Sequence, residues 1–590
     1  MNNTLMTFLL LSVFVWPLML ALALMLPSSR RFILPLAPWA ALPALILSLW
    51  MPTGTVLELP WLLLGSHLAF DVTARVFLFF SSLLWLIAGI YSVGYFSEPL
   101  LRARFFIWFL LAMAGNLGLI LAHDLVLFYT LFTLMSFASY GLVVFDRSQE
   151  ALRAGRVYIV LVVLGEVMLF AAFVLAAWAA GGIEFASVQA ALAAAVSSNW
   201  IIGLVFLGFG IKAGVIGLHV WLPLAHPVAP VPASAVLSGA MISAGVLGWL
   251  RVLPLGDVAL PGWGGVMIVA GMAAVFYAVF VGLLQRNAKT VLAYSSVSCM
   301  GVMTIAVGLG LVAPGSWSLI VLALLIYALQ HGLAKGALFL SVDMSAVSPV
   351  SKGRYYLLIA GLLLPVLSLA GAPLTSGMIA KHLLHLQVNA VDSPLAGWLQ
   401  MLMPWSSVAI SMLMGHFLIL VWPRGQRSSV RVFKSTGMWL SWSVLFVVVM
   451  LSPWFIPFFE LKGFWSLMIM ISAFWPLVLG GGLALIIHGY LKRRQMPRRL
   501  RIPPGDVLIV LEDWILPGLK SFLIFCRALL EKAWLWLRAK LDGRRGYLIL
   551  MSFLAALENR LWRWATGATL FLMLSMLFIF LASFPGIYDN

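Results

Sequence analysis

Residues 200–223 read WIIGLVFLGFGIKAGVIGLHVWLP, an apolar run with a single Lys or Arg, Lys212, near its middle. A spanning helix needs about 20 predominantly apolar residues, which this stretch supplies. A lysine at the bilayer centre costs roughly 2.5–3.5 kcal/mol on insertion scales, so it persists where it has work to do. The same anomaly recurs outward along the chain: Glu166, Lys335 and Lys381 each sit inside a segment that otherwise reads as a membrane helix. Four such residues in one polytopic chain are read as an ion path.

Composition agrees. Of 590 residues, 63% are hydrophobic and 9% charged, with a mean hydropathy of +1.08, whereas a soluble chain carries about 25% charged residues. The net charge of +17 would suggest nucleic acid in a soluble protein. Here most basic residues fall in short loops, where they set topology and meet anionic lipid, and no nucleic-acid motif accompanies them. Cys299 and Cys526 cannot build a metal cluster or a disulfide framework, so no cofactor or redox centre is expected on this chain. The first apolar stretch, from about Leu5 to Met25, lacks a basic leader and a small-residue cleavage site, and is read as a retained helix.

Sixteen apolar stretches are marked as spans: 3–26, 33–50, 73–93, 104–121, 124–144, 157–180, 200–222, 233–254, 263–284, 291–312, 317–340, 356–371, 404–422, 436–457, 465–489 and 564–584. The expected class is therefore all-α, a polytopic membrane protein of about 14–16 transmembrane helices. The stretch at 356–371 runs into Gly371-Ala372-Pro373, which predicts a broken helix continuing through Ser376, Gly377 and Lys381. Basic clusters follow odd-numbered spans, Arg251 being an exception, so the positive-inside rule puts the N-terminus outside a cell inner membrane. Residues 491–560 open on Lys492, Arg493 and Arg494 and then mix apolar and charged residues with Trp514, Trp534 and Trp536. That mixture suits amphipathic helices lying along the cytoplasmic interface.

Several ordered strings carry a resemblance. Gly208-Phe209-Gly210-Ile211-Lys212-Ala213-Gly214 is followed by Leu218-His219-Val220-Trp221-Leu222-Pro223, Ala225-His226-Pro227 and Pro232-Ala233-Ser234-Ala235. Val291-Leu292-Ala293-Tyr294-Ser295-Ser296, His331-Gly332-Leu333-Ala334-Lys335-Gly336 and Gly371-Ala372-Pro373-Leu374-Thr375-Ser376-Gly377 complete the set. Over roughly residues 70–420 the chain resembles the antiporter-like subunits of respiratory complex I, of multisubunit cation/proton antiporters and of membrane-bound hydrogenases.

The resemblance implies two inverted five-helix repeats over 104–254 and 263–422, and the apolar pattern adds N-terminal helices over 1–103 and additional helices over 436–490. Beyond them lie the amphipathic segment 491–560 and a C-terminal helix at 564–584. It implies that Lys212 is the proton-holding lysine of the first repeat, that Lys335 joins the two half-channels, and that Lys381 is the exit-side residue of the second. Gly165-Glu166 matches the place where related subunits put an Asp after a Gly. The residues agree independently: burial lowers a lysine pKa and a neighbouring carboxylate raises it, so a lysine held between the two can switch. His331 and Lys335, spaced i,i+4, share a helix face. His219 and His226 flank Pro223 and are relay candidates, with a structural histidine as the alternative. Asp124 reads as a helix cap.

Two departures matter. Where the family usually has a glutamate in helix 5, this chain has Phe132-Thr133-Leu134-Met135; and a site that is often a lysine in helix 8 reads Met241-Ile242-Ser243. Either Glu166 serves Lys212 alone or the first channel is altered, and Ser243, water and His226 are left to bridge the centre. The expected function is a proton-translocating subunit of a multisubunit complex, with no covalent chemistry of its own. The alternatives are a proton-conducting partner of a zinc-containing CO2/bicarbonate uptake complex, a membrane-arm subunit of a hydrogenase or quinone-linked dehydrogenase, and a Na+/H+ antiporter subunit. Partners are accordingly other membrane subunits and a soluble redox or zinc-bearing subunit, with protons or Na+ as the moving ion.

Overall fold

The computed structural model describes residues 3–194, 199–346, 351–390, 394–423, 436–454 and 466–493, with Ile502 and Gly505. Among them, twelve helices are long and apolar enough to cross a membrane. The chain is an all-α, multi-pass membrane protein. The proposed amphipathic segment, apart from its first residues, and the helix at 564–584 lie outside the described residues.

The chain begins with α1 (Asn3–Met25) and two short helices, α2 (Arg30–Ile33) and α3 (Leu42–Trp50). An antiparallel hairpin follows, β1 (Thr55–Leu59) and β2 (Ser66–Phe70), in register from Thr55 opposite Phe70 to Leu59 opposite Ser66. Next come α4 (Val72–Tyr95), α5 (Pro99–Leu121), α6 (Leu125–Val143), α7 (Gln149–Ala180), α8 (Phe185–Ala194) and α9 (Asn199–Ala213). Their starts follow local chemistry. The Asp71 carboxylate accepts from the Ala74 N–H at 2.6 Å, Asp124 accepts from Val126 and Leu127, and Pro99 opens α5 where its missing N–H costs nothing.

The middle of the chain is α10 (Trp221–Val228), α11 (Val231–Val236), α12 (Ser243–Val252), α13 (Pro261–Leu283), α14 (Ala288–Val312) and α15 (Trp317–Ser345). It continues through α16 (Lys352–Ala370), α17 (Ser376–Ala390), α18 (Pro394–Val421), α19 (Thr436–Leu451) and α20 (Leu467–Arg493). The α11–α12 rod and α14 are buried almost throughout, whereas most of α20 faces outward. Arg251 closes α12.

Three interruptions shape the functional region. Between α9 and α10 the chain turns through Gly214 and Gly217, both at positive φ. Between α11 and α12 a widened turn spans Leu237–Met241, with the Ile242 N–H reaching back five residues to the Leu237 carbonyl at 3.1 Å. Between α16 and α17, Gly371 takes φ +85°, and the break predicted there is present.

The span list needs correcting in three places. Residues 33–50 do not form one span, because Pro35, Pro38 and Pro43 divide the stretch into short pieces. The apolar run 200–222 ends as a helix at Ala213 and resumes at Trp221, since apolar composition does not register the two glycines that turn the backbone. The stretch at 436–457 yields a helix of 16 residues. The β-hairpin had no counterpart in the all-α expectation.

Candidate functional site: three lysines within apolar helices

The first lysine site forms where α7 meets α9. A Cβ at Gly165 would lie 3.2 Å from the Gly208 carbonyl, so the absence of side chains there lets the two backbones approach closely. That approach brings Glu166, 5% exposed, and Lys212, 3% exposed, onto one cavity of about 10 Å³ that Ser136, Tyr158 and Trp221 also line. Such a volume admits about one water molecule.

Each partner is held by a neutral group rather than by the other. Thr133 Oγ1 donates to Glu166 Oε2 at 2.7 Å, and Glu166 Oε1 is buried without a hydrogen bond among the described residues. Lys212 Nζ donates to the Tyr158 hydroxyl at 3.2 Å, which in turn donates to the Ser136 carbonyl at 2.9 Å. The ammonium also lies 5.6 Å from the Tyr158 ring centroid and 5.8 Å from that of Trp221, within cation–π range. Lys212 occupies the last turn of α9, where the negative end of the helix dipole favours a cation.

At the centre, α15 presents Lys335 to α14. Its Nζ donates to the Leu292 carbonyl at 3.1 Å and to Ser295 Oγ. The neighbouring Ser296 shares a 2.7 Å hydrogen bond with Ser238 of the widened turn. His331 is fully buried, and neither ring nitrogen is hydrogen-bonded among the described residues; it shares a face with Lys335 without a bond to it. His226 stacks on Phe339, ring centroids 4.6 Å apart. His219 lies edge-on to Tyr277 and Tyr294. Ser243 is fully buried, its hydroxyl without a hydrogen bond among the described residues.

The third lysine, Lys381, rises from α17 to donate to the Ala370 carbonyl, the last of α16, at 2.9 Å. Gly371 makes room for it: a Cβ there would stand 2.9 Å from Lys381 Cδ and 3.2 Å from Nζ. Lys381 opens on a cavity of about 230 Å³ shared with His382, His385, Ser406, Ser407 and Ser472.

Sequence reasoning missed a polar cluster beside the hairpin. Arg251, the basic residue out of place in the loop pattern, is 6% exposed. It clamps Asp71, Nη2 to Oδ1 at 3.2 Å with Nη1 on Oδ2. Nearby, the His67 N–H donates to Asp124 Oδ2 at 2.8 Å, and His67 Nε2 stands 3.7 Å from Glu184 Oε1. Burial works to raise the Asp71 carboxyl, but the Arg251 charge and the hydrogen bonds from Arg251 and Ala74 together outweigh it and hold the group below its usual 3.8. Burial, with Arg251 adding to it, holds the His123 imidazole below its usual 6.5. The one sequence signal was the charge of Arg251 on the wrong side of the loop count.

Comparison with known proteins identifies the family and the fold. Residues 122–404 match the family described as NADH:quinone oxidoreductase/Mrp antiporter, TM. Hydrogenase-4 component B of Escherichia coli is 31% identical over 348 residues, 55% of this chain and 52% of that protein. Na(+)/H(+) antiporter subunit A1 of Staphylococcus haemolyticus is 30% identical over 316 residues, 50% of this chain and 39% of that protein. The chain thus spans about half or less of the length of these relatives. A chain of the Mrp complex from Dietzia sp. DQ12-45-1b shares the fold with a TM-score of 0.74 at 20% identity, covering 94% of this chain and 63% of that one. With the family match running through Lys212, Lys335 and Lys381, the first and last of them at helix breaks, the chain belongs to the antiporter-like membrane-subunit family of Mrp antiporters and complex I.

Proposed function

We propose that this chain is a proton-translocating subunit of an Mrp- or complex-I-like membrane assembly. The observation that carries the reading is the cavity at Glu166 and Lys212. A carboxylate and an ammonium, both nearly excluded from solvent, line one water-sized space without a direct ion pair. Held by Thr133 and Tyr158 instead, they can gain or lose a proton without first breaking a salt bridge. Moving one charge across a membrane costs about 2.3 kcal/mol per 100 mV, so a site whose protonation alternates is the economical way to do it.

In this reading Glu166 serves as the carboxylate of Lys212 in place of the helix 5 glutamate, Lys335 with His331 joins the halves, and Lys381 is the exit residue. His226, His219 and Ser243 are relay candidates beside that line. The two broken helices support a two-repeat organisation over 104–254 and 263–422: each break has a lysine at the C-terminal end of the half-helix before it, Lys212 in the last turn of α9 and Lys381 on the last carbonyl of α16. The basic loops support an orientation with the N-terminus outside a cytoplasmic membrane. Na+ as the moving ion and a redox partner are the second reading, favoured by the printed names of the relatives, a Na(+)/H(+) antiporter subunit and a hydrogenase component.

The test is proton flux in liposomes containing the intact complex. Lys212→Ala is expected to lower flux by about 100-fold or more, in the range of a lost proton-transfer group; flux at the unaltered level would overturn the reading.

A further inference from the structure

We infer that His382 and His385 form the proton-exchange mouth of the Lys381 site, passing protons between that lysine and water in the cavity between α17, α18 and α20. The inference rests on the proposed path and extends it to two residues that the path so far does not use.

The geometry is specific. On α17, positions 381 and 385 are one turn apart, and 382 and 385 are neighbours at i,i+3, so the ammonium and both imidazoles border one space. All three line the 230 Å³ cavity, which is roomy enough for several waters, at about 30 Å³ each in the liquid. Among the described residues the opposite walls add no charge. Ser406 and Ser472 donate their hydroxyl hydrogens to carbonyls of their own helices, Met403 at 2.6 Å and Ile469 at 2.8 Å. Their oxygen lone pairs are thereby left to accept hydrogen bonds from water in the cavity.

Chemistry selects the imidazoles as carriers. Lys381 is tethered to the Ala370 carbonyl and, as an ammonium, only donates. An imidazole accepts a proton at one nitrogen and releases one from the other, which a relay requires. Asn389 Nδ2 stands 3.4 Å from His385 Nδ1, close enough to bias which nitrogen of that ring faces the cavity. No carboxylate lines the cavity among the described residues, so the imidazoles are the strongest bases there to take a proton from Lys381.

The experiment uses the intact complex in liposomes, with an internal pH dye and an imposed potential. His382→Gln and His385→Gln are compared singly and together with Lys381→Ala, Lys212→Ala and the unaltered protein. The double histidine variant is expected to lose about tenfold or more of the flux, the low end of what a positioned proton carrier supplies, with smaller losses in the single variants. Added imidazole buffer is expected to restore much of the flux to the double variant and none to Lys212→Ala. A double variant with unaltered flux, beside a Lys381→Ala variant that has lost it, overturns the mouth while leaving the path standing. A loss that imidazole does not rescue also overturns it, because a merely structural role would behave that way. Unaltered flux in Lys212→Ala would bring down the path itself.

Discussion

Thr133 donates its hydroxyl hydrogen to Glu166 Oε2 at 2.7 Å. The residue that stands where relatives are expected to carry a glutamate is therefore bonded to the carboxylate that faces Lys212 from the next helix. The carboxylate at this site comes from α7, and the α6 position supplies its hydrogen-bond donor. In the proposed path this relation keeps a carboxylate beside Lys212.

A swap tests it. Glu166→Gln should lower proton flux by about 100-fold, in the range of a lost proton-transfer group. Thr133→Glu combined with Glu166→Gln should recover a substantial part of that flux, because the carboxylate returns to the same space from the facing helix. Flux in the double variant no higher than in Glu166→Gln alone would show that Lys212 does not use a carboxylate from either helix.

Thr133→Val isolates the hydroxyl. The substitution keeps the branched shape and removes one hydrogen bond to a charged or polar partner, a loss of about 1–3 kcal/mol. We expect the flux to fall and its pH optimum to move, with assembly retained, as measured by dye-reported flux across a pH series. An unmoved optimum would separate the hydroxyl from Glu166 titration.

Gly371→Ala should destabilise the assembled protein. Gly371 holds φ +85°, which an L side chain rarely adopts, and the new Cβ would press on the Lys381 stem. Both effects act together and outweigh the up to about 1 kcal/mol that a stiffer unfolded chain contributes to stability. Thermal unfolding in detergent, followed by light scattering, reads it; a melting point equal to that of the unaltered protein would show that the break tolerates a side chain.

The hairpin-face cluster predicts acid sensitivity. Asp71 has its folded carboxyl below 3.8 and His123 its folded imidazole below 6.5, so in each case the unfolded chain binds more protons in the window just under the usual value. Stability from His123 is therefore present above about pH 6.5 and is lost as pH falls through the lowered folded value. Asp71 repeats this at lower pH, its contribution present above about 3.9 and lost below. Arg251→Met should destabilise the protein at neutral pH, because Asp71 loses its partner, and should flatten the acid dependence. A variant with the same acid profile as the unaltered protein would remove the cluster as its cause.

The sequence alone determined that the chain is a multi-pass membrane protein, because apolar length and the scarcity of charge are properties of composition that a bilayer reads directly. It also determined which ionisable residues lie within that apolar context, and the break after Ala370, since Gly-Ala-Pro forbids a continuous helix there. It did not reveal which group holds each charge. Thr133 and Glu166 are 33 residues apart and Asp71 and Arg251 are 180 apart, and no local pattern couples positions so distant. Only the packing of α6 on α7 set the Thr133 hydroxyl on Glu166, and only the close approach of α7 and α9 at Gly165 and Gly208 set Glu166 and Lys212 on one cavity. Only the closure of the α12 end on the start of α4 turned a stray basic residue into half of an ion pair. Hydrophobicity is additive along a chain, whereas a buried charge is stabilised by whatever the fold brings within about 3 Å, and that is decided in three dimensions.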